Sequence, residues 1–113
     1  MHEFEIVKNI LNTAIEYGKQ AEATQIQQIE IQLGKATNIL PESLQLAFDF
    51  FKQGTIAENA CLEINHIPII CFCLTCYLEF QSLDHLNECP VCRRVSNTLR
   101  QGNELYIKSL KIL

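Results

Sequence analysis

Two Cys-x-x-Cys pairs constrain this chain more than any other feature of its sequence. Cys73 and Cys76 form the first pair, and Cys89 and Cys92 form the second. Two thiolates at this spacing can bind one cation from a single tight turn, and a second pair completes a tetrahedron. Four protein ligands leave no open coordination position, so the pattern predicts a structural zinc site rather than a catalytic one.

The compartment decides between metal binding and disulfide formation. The N-terminal residues from Met1 to Glu5 are acidic and do not look like a secretory signal. The longest nearly apolar run, Ile67 to Leu74, is far shorter than the ~20 residues of a membrane-spanning helix. We therefore expect a cytoplasmic protein with reduced thiols, in which paired cysteines indicate metal. Disulfides, unrelated core cysteines and an iron–sulfur cluster are the alternatives.

The remaining cysteines and two histidines are less informative. Cys71 shares a strand face with Cys73 and could be a spare ligand, but a small buried hydrophobic residue is the better interpretation. Cys61, at the start of a strand, is interpreted in the same way. His66 and His85 are predicted to be surface or core residues, and the sequence leaves the roles of all four open.

Hydrophobic periodicity predicts two helices and three strands outside the cysteine pairs. The first helix is predicted from Glu3 to Tyr17, with Gly18 as its C-terminal cap. The first strand contains Ile29, Ile31 and Leu33 and ends at Gly34. The other predicted elements are a helix that begins at Pro41 and stops at Gly54, a strand over 61–67, and a last strand over about 104–113 with a bulge near Ser109.

These elements predict a small α+β fold. The strand–helix–strand unit from Ile26 to Ile67 favours a right-handed parallel crossover, and the last strand is expected to join the same sheet. The fold class is a sheet of about three strands with two helices and an inserted four-cysteine zinc-knuckle module. Residues 1–67 and 103–113 are predicted to form an α+β domain and residues 68–102 the inserted module, with 93–103 as a polar return hinge.

Charge and motifs weigh against several function classes. The chain has 113 residues, a hydrophobic content of 48% and a net charge of −4, which makes it a poor ligand for phosphate backbones. A zinc hydrolase would need an open zinc position and a general base on a motif such as His-Glu-x-x-His, which this sequence lacks. The alternatives that stay open are a zinc-ribbon adaptor for protein interactions and a nucleic-acid-binding module.

His2 is the second feature with a specific chemistry. A histidine at position 2 can chelate a metal through the α-amine, its own deprotonated amide nitrogen and its imidazole Nδ1. The Glu3 amide can complete a square plane of nitrogen atoms, which suits Ni²⁺ or Cu²⁺. From these residues alone, an ordinary frayed terminus is the simpler interpretation.

The chain as a whole resembles the hydrogenase/urease nickel-incorporation proteins, the HypA/HybF family. The order and spacing of the matching motifs hold over essentially the full length. The matching segments are Met1-His2-Glu3, Pro41-Glu42-Ser43-Leu44, Gly54-Thr55, Ala57-Glu58, Cys73-Leu74-Thr75-Cys76, Cys89-Pro90-Val91-Cys92, and the closing run from Gly102 to Ser109.

The resemblance implies a non-enzymatic nickel metallochaperone for [NiFe] hydrogenase, with urease as a further client. It assigns transferable Ni(II) to Met1, His2 and Glu3, and structural Zn(II) to the four paired cysteines. It also implies, as partners, a nickel-handling GTPase, the hydrogenase large-subunit precursor and a urease accessory protein. The acidic charge and the short apolar runs predict no nucleic acid and no membrane as partners. Some family members carry a histidine beside a knuckle cysteine, but here Tyr77 and Arg93 follow the pairs. A pH-sensing role for knuckle histidines is therefore not expected.

Overall fold

The computed structural model describes residues 2–83 and 85–113. A short 3₁₀ helix, Lys35–Thr37, lies between the first strand and the second helix. The remaining elements, in chain order, are α1 Glu3–Gln20, β1 Ile26–Gly34, α2 Pro41–Phe51, β2 Cys61–Ile67, β3 Ile69–Cys73, β4 Leu78–Ser82, β5 Thr98–Gln101 and β6 Leu105–Ile112. Neither α1 nor α2, within the part of the chain that the structure describes, has the length and hydropathy of a membrane-spanning helix.

Residue contacts divide the chain into two compact units. The first, called the helical unit here, contains the residues up to Gln32 together with 39–65 and 106–113. The second, called the cysteine unit, contains residues 33–38 and 66–105. The assignment of a nickel or zinc function to either part of the chain stays a prediction.

Helix α1 buries one face along its whole length. Val7, Ile10, Leu11 and Ala14 are buried at the spacing of a helical stripe. The prediction that the helix stops at Gly18 is wrong, because the helix continues to Gln20 and Gly18 is itself buried. A Cβ at Gly18 would lie 3.1 Å from Ile56 Cδ1, so the glycine provides room for packing rather than a cap. Tyr17, predicted on the buried face, is exposed.

Helix α2 begins at Pro41, as predicted, because proline is pre-organised for the first helical position and loses no hydrogen bond there. Its buried residues are Leu44, Ala47 and Phe48, and it packs against α1. The neighbouring aromatic residue Phe50 points away from this core and is 71% exposed. Helix α2 therefore buries one apolar face in the core and exposes further apolar side chains on another face.

The helical unit contains most of a three-stranded sheet with the order β2-β1-β6. Gln28 contacts Glu63, and Asn65 Nδ2 donates to Glu30 at 2.7 Å, so partner numbers on β1 and β2 rise together, as in parallel strands. Ser109 Oγ donates to Glu30 at 2.6 Å and the Leu113 amide donates to the Gln25 carbonyl, which fits an antiparallel β6. The last strand therefore joins the first sheet, as predicted.

The cysteine unit contains a second sheet, with the order β4-β3-β5, which the sequence did not predict. Strand β3 pairs antiparallel with both neighbours, and its register with β5 shifts between Ile70 and Cys71. Residues 93–103 are thus not simply a hinge, because β5 lies within them. Strands of four or five residues leave little periodicity in a sequence, and this sheet is built on the residues around the cysteine pairs.

A close backbone approach anchors residues 33–38 to the rest of the cysteine unit. The Gly34 amide donates to the Glu104 carbonyl and the Ala36 amide donates to the Gly102 carbonyl, both at 2.8 Å. A Cβ at Gly34 would lie only 1.9 Å from the Gly102 oxygen, so no other residue type fits there without backbone movement. Ala36 in turn packs on the core of this unit.

Two phenylalanines of α2 provide a test of the core. Phe48 is 1% exposed, so Phe48→Ala should lower the free energy of unfolding by about 3–5 kcal/mol through lost burial and a residual cavity. Phe50→Ala, on the exposed face of the same helix, should change it by less than about 0.5 kcal/mol. Urea unfolding of the zinc-loaded proteins measures both values. Equal losses for the two variants would contradict the assigned core.

Candidate metal centre

The four paired cysteines converge on one point. One sulfur atom from each of Cys73, Cys76, Cys89 and Cys92 lies within 4.8 Å of every other. The Sγ atoms of Cys73 and Cys92, which belong to different pairs, are 3.6 Å apart. A tetrahedral zinc–thiolate centre with bonds of ~2.3 Å separates its sulfur atoms by about 3.8 Å. The donor set and its spacing therefore fit a structural zinc ion.

Each pair lies in the same kind of turn. The Tyr77 amide donates to the Cys73 carbonyl at 2.8 Å, and the Arg93 amide donates to the Cys89 carbonyl at 2.9 Å. Tyr77 and Arg93 both have left-handed backbone conformations, with φ of 57° and 66°. Two equivalent turns thus present two sulfur atoms each to one centre. The sequence did not reveal this role, since neither position carries the glycine that a left-handed residue favours.

The surroundings of the cluster shift the pKa values of Cys89 and Cys76 in opposite directions. The pKa of Cys89 falls to about 7, chiefly because the Cys92 amide, and also the Val91 amide, hydrogen-bonds to its sulfur. Burial raises the pKa of Cys76 to about 12, and the neighbouring sulfur atoms add to this effect. Ionisation of Cys76 is therefore unfavourable here without a cation, and a divalent metal supplies that charge.

The sulfur atoms also belong to the hydrophobic core of the cysteine unit. Cys73 and Cys89 are buried with Ile69, Cys71 and Phe80, and Cys76 and Cys92 pack against this cluster. Strand β3 delivers Cys73 at its last residue, and the turn that follows delivers Cys76. The residues of the candidate metal centre are therefore also residues of the hydrophobic core of this unit.

The other cysteines and histidines lie outside the four-sulfur cluster. Cys71 is 1% exposed and its pKa is raised by burial, so it is a buried hydrophobic residue, as predicted. The same prediction for Cys61 is wrong, because Cys61 is exposed. It lies on a strand at the edge of its sheet, and the buried residue at that end of β2 is Leu62. His66 and His85 are exposed.

Arg93 and Arg94, which follow the second cysteine pair, contact other side chains rather than the sulfur atoms. Arg93 makes an ion pair with Glu88 at 3.6 Å, and Arg94 donates to the Thr75 hydroxyl at 3.4 Å. Arg94 therefore joins the two cysteine turns through a side-chain contact. Its charge lies beside the first turn, where it can still offset part of the negative charge of a zinc–tetrathiolate centre.

The predicted nickel residues lie at the start of α1. His2 occupies the N-cap position, is exposed, and accepts the first hydrogen bond of the helix, from the Ile6 amide at 3.0 Å. Glu3 is the first residue of the helix. Met1 lies outside the described residues. The structure therefore places two of the three predicted residues next to each other on an accessible terminus.

Comparison with known proteins decides the family. A family model described as hydrogenase/urease nickel incorporation, metallochaperone, hypA, matches residues 1–112. The chain belongs to the HypA family. The hydrogenase maturation factor HypA of Lawsonia intracellularis is 35% identical over 117 residues, covering 99% of both chains. The corresponding factor of a Picosynechococcus species is 33% identical over 113 residues and covers both chains completely.

Solved structures of HypA share the fold. The solution structure of the Ni metallochaperone HypA from Helicobacter pylori superposes with a TM-score of 0.70 at 25% identity, covering 100% of this chain and 98% of that one. A second HypA solution structure gives a TM-score of 0.73 at 25% identity, with coverage of 100% and 97%. The HypA likeness thus holds for sequence and fold over the full length.

Cysteine substitutions test the metal centre. Cys89→Ser should reduce bound zinc to less than about half an equivalent, because the closed four-thiolate shell loses a ligand. Cys71→Ser should retain about one equivalent, despite some loss of stability from a buried hydroxyl. Metal analysis of protein purified under reducing conditions measures both, with Cys61→Ser as the exposed control. A full zinc equivalent in Cys89→Ser, or zinc loss in Cys71→Ser, would refute this ligand set.

Proposed function

We propose that this chain is a nickel metallochaperone that binds Ni(II) at its N-terminus and delivers it during maturation of [NiFe] hydrogenase, with urease as a second client. The observation that carries the proposal is the match to the HypA family over residues 1–112. The relatives described above are named hydrogenase maturation factors. The exposed position of His2 at the start of α1 supports the proposal.

The proposed nickel ligands are the Met1 amine, the His2 amide and imidazole, and the Glu3 amide. The first four amide groups of a helix, counted from its N-cap, donate no hydrogen bond to the carbonyl four residues earlier in the helix. The His2 and Glu3 amides fall in this group, since the ladder starts with the bond from Ile6 to His2. Nickel can therefore bind these nitrogen atoms without breaking a helical hydrogen bond.

The electrostatics of a helix start also bear on this site. The positive end of the helix dipole disfavours a cation, but two carboxylates, Glu3 and Glu5, lie in the first turn and oppose it. A nickel ion held by two deprotonated amides carries little net charge. An exposed site of this kind can exchange its ligands with those of an acceptor, which a closed tetrathiolate centre cannot do readily.

The proposed role of the second metal is structural. Cys73, Cys76, Cys89 and Cys92 would hold Zn(II), and the ion would stabilise the small cysteine unit by supplying the charge that four thiolates require. Zinc binding of this kind is worth roughly 10–16 kcal/mol near neutral pH. We assign no catalytic role to either metal.

The proposed partners follow from the maturation role. They are a nickel-handling GTPase, the hydrogenase large-subunit precursor and a urease accessory protein, without nucleic acid or membrane. The proposed location is the cytoplasm, where the thiols of the zinc ligands stay reduced. The net charge of −4 supports the exclusion of nucleic acid.

Nickel titration tests the proposed function. His2→Ala and an N-terminally extended protein should both bind Ni²⁺ more than about tenfold more weakly. Mutating a residue that only supports a metal ligand already lowers metal affinity by about tenfold or more, and losing a ligand itself should cost more. His66→Ala, which removes an exposed histidine from β2, is the matched control and should bind nickel normally. Zinc content should stay constant throughout. Unchanged nickel affinity in both test variants would refute the proposal and favour a zinc-only adaptor.

A further inference from the structure

Residues 94–96, called the return segment here, pair with the chain that leads into the second cysteine pair. The Cys89 amide donates to the Arg94 carbonyl at 2.9 Å, and the Ser96 amide donates to the Asn87 carbonyl at 2.8 Å. These two hydrogen bonds run in both directions between the same two short stretches of backbone. The second cysteine pair and the return segment are therefore held together by their main chains.

The side chain of Ser96 connects the return segment to the first cysteine pair. Its hydroxyl donates to the Phe72 carbonyl at 2.5 Å and accepts from the Thr98 amide at 3.2 Å. Phe72 immediately precedes Cys73 in the chain. One residue thus bonds through its hydroxyl to the strand that delivers the first pair and through its amide to the chain that delivers the second.

The hydroxyl of Ser96 lies at the point where strand pairing ends. The ladder between β3 and β5 extends to the pairing of Phe72 with Thr98 and no further. The first cysteine turn begins at the next residue, Cys73, so it has no strand partner in β5. The hydrogen bond from Ser96 to the Phe72 carbonyl therefore fastens β3 directly before it enters the turn.

The burial of Ser96 indicates that these hydrogen bonds matter. Ser96 is 8% exposed, and Ser82 is the other polar residue that is buried in the part of the chain that the structure describes. The neighbour Val95 is 64% exposed, so the return segment turns an apolar side chain outwards and a hydroxyl inwards. A buried hydroxyl is unfavourable unless it is hydrogen-bonded, and Ser96 meets this condition only through the chain around the two pairs.

Arg94 adds a second contact between the two turns. Its Nη1 donates to the Thr75 hydroxyl at 3.4 Å. The two more exposed ligands of the cluster are Cys76 and Cys92. Thr75 precedes the first of these ligands by one residue, and Arg94 follows the second by two. The contact therefore joins the chain beside the two sulfur atoms that solvent reaches most easily.

From this arrangement we propose that Ser96 is a positioning residue of the metal centre, which holds the two cysteine turns, with support from Arg94, at the separation that a zinc ion requires. The inference rests on the proposed zinc role of the four cysteines. Twelve residues separate Cys76 from Cys89, so the two turns are independent pieces of chain unless something joins them. Groups that orient metal ligands without touching the metal typically change metal affinity by about 10–100-fold when they are mutated.

Zinc competition against a chelator of known affinity, on the reduced full chain, tests the proposal. Ser96→Ala should bind zinc about tenfold or more weakly than the unaltered chain. Ser82→Ala is the matched control, because Ser82 is equally buried but accepts from the Asn87 amide, at 3.1 Å, within the loop between the pairs. It should keep most of the zinc affinity. Equal losses in the two variants would show that buried hydroxyls act only on stability, and would overturn the proposal.

Two further measurements separate positioning from other roles of Ser96. Ser96→Thr keeps the hydroxyl and should bind zinc nearly as well as the unaltered chain. Zinc-edge X-ray absorption of saturated Ser96→Ala should still show four sulfur ligands at ~2.3 Å, because this variant loses no ligand. A loss in Ser96→Thr as large as in Ser96→Ala, or a changed ligand set in saturated Ser96→Ala, would overturn the positioning role.

Arg94 and Thr75 are exposed, so their substitution tests the second contact without disturbing the core. Arg94→Ala and Thr75→Val should each weaken zinc binding by about two- to fivefold, as expected for an exposed polar contact. The double variant should lose no more than either single one, because both remove the same contact. Arg93→Asn is the control, since it removes the adjacent charge and asparagine tolerates the left-handed backbone there. An equal loss in Arg93→Asn would contradict the contact assigned to Arg94.

Cys89→Ser separates this inference from the proposed function. If Cys89→Ser keeps a full zinc equivalent, the ligand set itself fails, whatever Ser96→Ala shows. If Cys89→Ser loses the ion and Ser96→Ala binds zinc normally, the ligand set stands and the positioning role of Ser96 fails.

Discussion

The convergence of four cysteine sulfur atoms on one point, in and against one hydrophobic core, is the constraint on which the cysteine unit depends. Cys73 and Cys89 are buried in the core of that unit, and the other two cysteines pack against it. Burial raises the pKa of Cys76 to about 12, which shows how unfavourable another thiolate is at this point without a cation. Packing alone gives a unit of this size only marginal stability. The ion therefore belongs to the fold of the unit as much as its hydrophobic residues do.

The two proposed metal sites answer opposite requirements. A structural ion must stay, so its ligands close the coordination shell and its sulfur atoms form part of a core. A transferable ion must leave, and the ligands proposed for it include His2, which is exposed at the start of α1. The HypA family is described by its role in nickel incorporation. A chain that offers both a closed thiolate site and an exposed helix start has a physical basis for that role.

The sequence predicted those parts of the structure that follow from local patterns. The bounds of β2 and the start of α2 at Pro41 agree with the structure, because residue alternation and a proline at the first helical position are strong local signals. The extension of α1 through Gly18 depends on the side chains of Ile26 and Ile56, which are distant in sequence. The second sheet depends on pairing around the cysteine turns. The exposure of Cys61 depends on its position at a sheet edge. None of these three features has a local signature.

X-ray absorption at both metal edges, on protein loaded with one equivalent each of zinc and nickel, tests the central claim most directly. The account predicts a zinc spectrum of four sulfur ligands at ~2.3 Å and a nickel spectrum of nitrogen or oxygen ligands without sulfur. Sulfur in the nickel shell, or nitrogen in the zinc shell, would contradict the separation of a permanent thiolate-bound ion from a transferable one at the N-terminus.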